Sequence, residues 1–102
     1  MIKQINVVEA ASMIEKDNPL IVDIRDAGSF AIGHIENAVR VDSENFQSFV
    51  NNEDNNRPLI ICCYHGNSSL SAAATFNRFG FDGHSLQGGM SAWMLSYPIV
   101  QN

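Results

Sequence analysis

Short apolar runs alternate along this chain with longer stretches in which apolar residues recur every three to four positions. The runs predict buried strands at Leu20–Asp23 and Leu59–Cys62, with weaker strand signals at Ala38–Val41 and Asp82–Leu86. Strands that are short and mainly apolar are typical of a parallel sheet, because such a sheet is covered on both faces. The pattern therefore favours parallel pairing.

Helical spacing recurs at four places between these strands. The first helix is expected over residues 7–16, where Asn6 and Glu9 have the spacing of a capping box. The other helices are marked by Phe46, Phe49 and Val50, by Ala72, Phe76 and Phe79, and by Met90, Trp93, Met94 and Tyr97.

Turn signals separate these elements. Residues 51–56 are polar enough for a surface loop, Gly80 stands where a helix C-cap is expected, and Pro98 stops the last helix. The alternation predicts an α/β fold, with a small central parallel sheet and helices on both faces. With 102 residues, of which 45% are apolar, the chain is expected to form a single domain over 1–102.

Charge and cysteine usage narrow the class of protein. The net charge is −5 and the six Lys and Arg residues are dispersed, which excludes nucleic acid and anionic membranes as expected partners. No stretch approaches the ~20 apolar residues of a membrane span, and the first residues lack a signal-peptide pattern, so we expect a cytoplasmic protein. The two cysteines are adjacent and the three histidines scattered, which predicts free thiols, no metal site and no cofactor.

The second of these cysteines has the most reactive position. Cys63 follows the strand Leu59–Cys62 and precedes a polar loop and a helix. Ligands bind at the carboxyl ends of parallel strands, where N–H groups entering a helix point into the crevice. These groups favour the thiolate over the thiol, so Cys63 is predicted to be a nucleophile in an anion-binding loop.

Three segments in order resemble the rhodanese domain. They are Val22-Asp23-Ile24-Arg25 with Phe30, Gly33-His34-Ile35 and Ala38, the loop Cys63-Tyr64-His65-Gly66-Asn67-Ser68, and Gly88-Gly89 with Trp93. The resemblance covers nearly the whole chain and is close to the single-domain thiosulfate sulfurtransferases of the GlpE type. It implies a rhodanese-like domain in which Cys63 takes the outer sulfur of thiosulfate as a persulfide and releases sulfite. The sulfur then passes to cyanide, a dithiol or a protein thiol, with a dithiol carrier such as thioredoxin as a candidate partner.

The loop after the nucleophile supplies the predicted substrate-binding residues, which are Tyr64, His65, Gly66, Asn67 and Ser68. Convergent N–H groups offset the charge of a dianionic donor without a lysine, and Gly66 permits a tight backbone turn. The His65 ring either meets the thiol or substrate or faces solvent. Ser68 or Ser69 is expected to cap the next helix.

Several neighbouring residues have structural interpretations. Cys62 is expected to pack on the opposite face of the strand from Cys63. An ion pair between Asp23 and Arg25 bracing nearby loops is favoured over contact with substrate. His34 is expected to be a hydrogen-bonded structural residue, and Trp93, Met90 and Met94 are expected to lie in the core.

Two other functions remain open. A Cdc25-like cysteine phosphatase would need an arginine where this chain has Ser69, which argues against that activity. A persulfide carrier or binding module with little thiosulfate turnover is the other alternative. Many sulfurtransferases of the family that this chain resembles carry Arg or Lys in or just after the loop, whereas position 70 here is Leu, so weaker thiosulfate binding is expected. A protein-bound persulfide or a dithiol carrier is then a candidate physiological partner.

Overall fold

One parallel sheet of five strands organises the protein, as seen in a computed structural model that describes residues 2–101. The strands are β1 (Lys3–Ile5), β2 (Leu20–Asp23), β3 (Val39–Arg40), β4 (Pro58–Cys62) and β5 (Asp82–Leu86). Their spatial order is β1-β5-β4-β2-β3, and every pairing is parallel. β4 is therefore central, with its carboxyl end between those of β2 and β5.

The part of the chain that the structure describes forms five helices, and four of them cover the two faces of the sheet. The helices are α1 (Val7–Asp17), α2 (Ala27–Ile32), α3 (Phe46–Asn52), α4 (Ser68–Arg78) and α5 (Gly89–Ser96). Side chains of α1 and α5 pack on one face, and those of α3 and α4 pack on the other. The predicted α/β fold is confirmed. None of the helices between residues 2 and 101 has the length and apolarity that crossing a bilayer requires.

Alternation along β4 separates the two cores. Ile60 and Cys62 belong to the α1 and α5 side, whereas Leu59 and Ile61 belong to the α3 and α4 side. The predicted packing role of Cys62 is confirmed, since its side chain is fully buried in the first of these clusters.

Two elements were absent from the sequence prediction. β1 is a three-residue edge strand in which only Ile5 is buried. α2 has six residues and buries none of them, so it leaves no apolar period in the sequence. Part of the predicted loop at 51–56 was also wrong, because α3 continues to Asn52.

Helix ends follow the predicted chemistry at two sites. At the start of α1 the Asn6 side chain accepts from the Glu9 N–H, and the Glu9 carboxylate accepts from the Asn6 N–H, both at 2.8 Å. At the end of α4, Gly80 adopts φ +91° and its N–H donates to the Asn77 carbonyl at 3.1 Å. The Phe81 N–H reaches back to the Phe76 carbonyl, which completes a Schellman motif.

The prediction that Met94 lies in the core was wrong. Met90 and Trp93 of α5 are buried, but Met94 is exposed, because α5 is apolar almost all round and its period does not select one face. Phe79 lies beyond the end of α4 and is exposed, with its ring edge against Phe46.

Candidate active site

The Cys63 thiol lies at the carboxyl end of the central strand. Cys63 follows β4 directly and is only 4% exposed. Its sulfur accepts hydrogen bonds from the N–H groups of Gly66 at 3.1 Å and Ser69 at 3.4 Å. The Ser69 hydroxyl is 3.3 Å from the same sulfur. The loop and the first turn of α4 therefore wrap around the Cys63 sulfur.

These contacts decide the ionisation of the thiol. Burial by itself raises the pKa of Cys63, because it penalises the thiolate. The Ser69 hydroxyl and N–H, together with the N–H groups of Gly66 and His65, outweigh burial and lower the pKa below that of a free thiol. The geometry thus favours the nucleophilic form, as expected from the sequence.

The prediction that Ser68 or Ser69 caps α4 was wrong. Asn67 occupies the cap position without a side-chain capping bond, and Ser68 and Ser69 are the first two helical residues. The Ser69 hydroxyl is instead turned inward, between Cys63 and the hydroxyl of Ser85, which lies 2.7 Å away. The Ser69 hydroxyl therefore contacts the buried Cys63 sulfur and does not bond to the backbone at the start of α4.

Sequence reasoning missed Ser85. It lies on β5, is fully buried, and pairs in register with Ile61 of β4. The available signal was a polar residue in the middle of a strand next to the centre of the sheet.

The Gly88-Gly89 pair fixes the orientation of the loop. The N–H groups of Met90 and Ser91 at the start of α5 donate to the carbonyls of Cys63 and Tyr64, at 2.8 and 3.0 Å. Gly89 adopts φ +59°, and a Cβ there would lie 2.5 Å from the Cys63 carbonyl oxygen. Because α5 binds the carbonyls of Cys63 and Tyr64, these carbonyls point toward α5. The N–H groups that follow them in the loop can then point toward the sulfur.

Gly66 is required for a similar reason. It adopts φ +97°, and a Cβ there would lie 2.9 Å from the backbone nitrogen of Gly88. The predicted tight turn is therefore confirmed, and it brings the Gly66 N–H onto the Cys63 sulfur.

The Tyr64 side chain links the loop to the start of α2. Its hydroxyl bonds to the Asp26 carboxylate and lies 2.8 Å from the Ser29 hydroxyl. The Arg25 guanidinium lies 5.9 Å from the centre of the Tyr64 ring. The bond from Tyr64 lowers the pKa of Asp26, so a carboxylate flanks the loop. The Tyr64 hydroxyl is therefore engaged by Asp26 and Ser29, and it connects the loop to α2.

The other predicted loop residues point outward. The exposed His65 ring bonds through Nδ1 to the Ser91 hydroxyl at 3.1 Å. The Asn67 and Ser68 side chains are exposed at the rim of the loop. Substrate binding by residues 64–68 stays a prediction, with the N–H of Gly66 and the backbone of its neighbours as the groups nearest the sulfur.

Asp23 and Arg25 form the predicted ion pair. Arg25 Nη2 lies 2.7 Å from Asp23 Oδ2, and Nε lies 3.0 Å from Oδ1, with both side chains buried. Arg25 Nη2 also donates to the Gly33 carbonyl at 2.7 Å. The pair braces the connection around α2, and its guanidinium is committed to these partners.

The remaining candidates have structural environments. The His34 ring stacks on Phe30, with centroids 3.7 Å apart, and Nδ1 lies 2.7 Å from the Phe30 carbonyl. Cys62 and Cys63 are both free, and burial raises the pKa of Cys62 far above that of a free thiol. Within residues 2–101, no group of three or more His, Cys, Asp or Glu side chains is placed to hold a metal ion.

Comparison with known proteins decides the family. The rhodanese-like domain family matches residues 6–96. The chain belongs to the rhodanese family. Among curated rhodanese-family relatives, the thiosulfate sulfurtransferase GlpE of Pseudomonas aeruginosa is 44% identical over 91 residues, or 88% of this chain and 83% of the relative. GlpE of Shewanella oneidensis is 45% identical over 92 residues, or 89% and 91%.

Solved structures agree with the fold. A rhodanese-related protein from Thermoplasma volcanium has a TM-score of 0.85 at 21% identity, covering 98% of this chain and 99% of its own. A rhodanese-like domain protein from Staphylococcus aureus has a TM-score of 0.78 at 28% identity, covering 90% and 91%. The resemblance inferred from the sequence is therefore confirmed for the family and the fold.

Proposed function

We propose that this rhodanese-family protein is a thiosulfate sulfurtransferase that works through a persulfide on Cys63. The observation that carries the proposal is a buried sulfur held by the N–H groups of Gly66 and Ser69 and faced by the Ser69 hydroxyl. The identity to GlpE enzymes over most of the chain supports the same activity.

The first half-reaction forms one sulfur–sulfur bond and breaks another. The Cys63 thiolate attacks the outer sulfur of thiosulfate, and sulfite leaves with the electron pair of the broken bond. Attack on a dianion is opposed by like charge, and preorganised N–H donors offset this without a side-chain cation. The loop holds its donors in place before substrate arrives, because α5 fixes the carbonyls on its other side.

The second half-reaction regenerates the enzyme. A thiophilic acceptor attacks the outer sulfur of the persulfide, and the electron pair of the broken bond returns to Cys63 as a thiolate. We propose cyanide, a dithiol or a protein thiol as acceptor, with a thioredoxin-like dithiol carrier in a reducing cytoplasm. The persulfide intermediate divides the transfer of sulfur from thiosulfate to the acceptor into two separate displacements.

A second candidate function is a persulfide carrier with little thiosulfate turnover. Leu70 stands directly after the loop, the Asp26 carboxylate flanks it, and Arg25 is already paired with Asp23. A dianion is therefore met at the Cys63 sulfur by neutral donors, which are backbone N–H groups and the Ser69 hydroxyl, and the net charge of −5 gives no long-range attraction. A phosphatase is not favoured, because Ser69 occupies the position of the phosphate-gripping arginine and faces inward.

The test is intact-mass spectrometry after brief exposure to thiosulfate, with sulfite release and thiocyanate formation followed in parallel. The wild type is expected to gain one sulfur, about 32 Da, which cyanide removes. Cys63→Ser should gain nothing, and Cys62→Ala, the matched control one residue earlier, should load normally. Loading from a persulfide donor but not from thiosulfate would select the carrier function. Loading from neither donor would refute both.

A further inference from the structure

Two buried hydroxyls form a short chain behind the nucleophile. The Ser69 Oγ lies 3.3 Å from the Cys63 sulfur, and the Ser85 Oγ lies 2.7 Å from the Ser69 Oγ. Both serines have no exposed surface. Because Ser85 is next to Ile61 in the sheet, its side chain shares the face that α4 covers. The chain therefore runs from β5 through α4 to the sulfur.

The sulfur changes its hydrogen-bonding role when it ionises. A thiol donates to the Ser69 oxygen, whereas a thiolate accepts from the Ser69 hydroxyl. A serine hydroxyl has one proton, so Ser69 must reverse its direction between these two states. Ser85 permits both arrangements, since it accepts from Ser69 in the thiol state and donates to Ser69 in the thiolate state. No proton leaves the pair of serines in this rearrangement.

We propose that Ser85 is a positioning residue for the sulfur-transfer reaction proposed above. It acts through Ser69 by directing the Ser69 hydroxyl onto the Cys63 thiolate. Hydrogen bonds in series strengthen one another at low dielectric, so donation from Ser85 makes Ser69 a better donor to sulfur. Ser85 itself does not contact the sulfur or the substrate.

The charged surroundings do not change in the variants that test this idea. The ionisable groups on the neighbouring elements are those at the end of β2 and before α2, those in the loop and the residue before it, and the one next to Ser85 on β5. They are Asp23, Arg25 and Asp26, then Cys62, Tyr64 and His65, and finally His84. Removal of a serine hydroxyl alters none of these groups. A change in the titration of Cys63 therefore reports on the hydroxyl chain.

The experiment is the pH profile of Cys63 alkylation by iodoacetamide, with the modified residue identified by peptide mass. Ser85→Ala is expected to raise the midpoint by about 0.3 to 1 pH unit, which is a two- to tenfold fall in the acid dissociation constant of the Cys63 thiol. Ser69→Ala is expected to raise it by about one unit or more, because it removes a hydrogen bond to a charged group. Ile61→Val deletes a buried methyl at the register position of Ser85 and should leave the midpoint unchanged.

The double variant tests whether Ser85 acts through Ser69. If it does, Ser69→Ala with Ser85→Ala shifts the midpoint no further than Ser69→Ala alone. Additive shifts, or an unchanged midpoint in folded Ser85→Ala, would overturn the proposal. If Ser85→Ala does not fold, Ser85→Cys is measured in its place, since a thiol is a weak donor.

Failure of the positioning role is distinguishable from failure of the proposed function. Alkylation of Cys63 requires neither thiosulfate nor an acceptor, so the titration stands whether or not the wild type loads sulfur. If the wild type loads sulfur, Ser85→Ala should load it more slowly at neutral pH. The loading rate of this variant should return to that of the wild type at a pH above the raised midpoint. A slow rate that no pH restores would assign Ser85 to packing instead.

Discussion

Replacement of Gly89 by alanine tests whether the start of α5 holds the Cys63 loop in its reactive geometry. The added Cβ would lie 2.5 Å from the Cys63 carbonyl oxygen and 2.6 Å from the carbonyl carbon of Tyr64. These are backbone atoms, so no side chain can rotate away to relieve the contact. Either α5 or the loop has to move.

The size of the effect follows from this geometry. Ordinary contact begins near 3.4 Å, so the Cys63 carbonyl and the start of α5 have to move apart by about 0.9 Å. A displacement of about 1 Å at a reacting group lowers turnover by roughly a hundredfold. The overpacking, together with the left-handed φ of +59°, is expected to lower the free energy of unfolding by about 2–4 kcal/mol.

Gly80→Ala is the matched control. Gly80 also has a positive φ, of +91°, but a Cβ there meets only the Asn55 side chain, at 3.0 Å. This variant should lose about 1–2 kcal/mol from backbone strain and keep its turnover. For each variant, kcat/KM is measured for thiocyanate formation, and the free energy of unfolding is measured by urea titration. Gly89→Ala with kcat/KM within about twofold of wild type would refute the reasoning.

Three further substitutions have defined outcomes. Leu70→Lys should lower KM for thiosulfate at low salt and lose that advantage as salt rises, and an unchanged KM across salt concentrations would contradict the charge argument. Cys62→Ala should lower the free energy of unfolding by about 1 kcal/mol or more in a urea titration while Cys63 still loads sulfur, and loss of loading would place Cys62 in the chemistry. Arg25→Ala leaves the buried Asp23 carboxylate without its partner and should cost about 3–5 kcal/mol, measured the same way, whereas a loss below about 1 kcal/mol would exclude a bracing role.

Most of the fold was predictable because its main elements bury apolar residues with a clear period. The bounds of β2 and β5 agree with the prediction, and the capping box of α1 is present at Asn6 and Glu9. β1 and α2 were missed because they bury one residue and none, respectively. Their position depends on neighbouring elements more than on their own sequence.

The candidate site was only partly predictable. The position of Cys63 follows from strand, loop and helix patterns that are local in sequence. The direction of the Ser69 hydroxyl does not, because a capping bond and a bond to sulfur both satisfy a serine at that position. The role of Gly89 depends on close contact with the distant loop backbone, and a repeated glycine cannot reveal what it approaches.

The bonds from α5 to the loop also determine when the reactive site forms during synthesis. The groups that hold the carbonyls of Cys63 and Tyr64 belong to Met90 and Ser91, which leave the ribosome long after the cysteine. A nascent chain that ends before α5 contains the nucleophile without the fixed turn that directs N–H groups at it. We expect its thiol to react as an ordinary cysteine does, and the proposed reactivity toward sulfur donors to begin only when α5 docks on the loop.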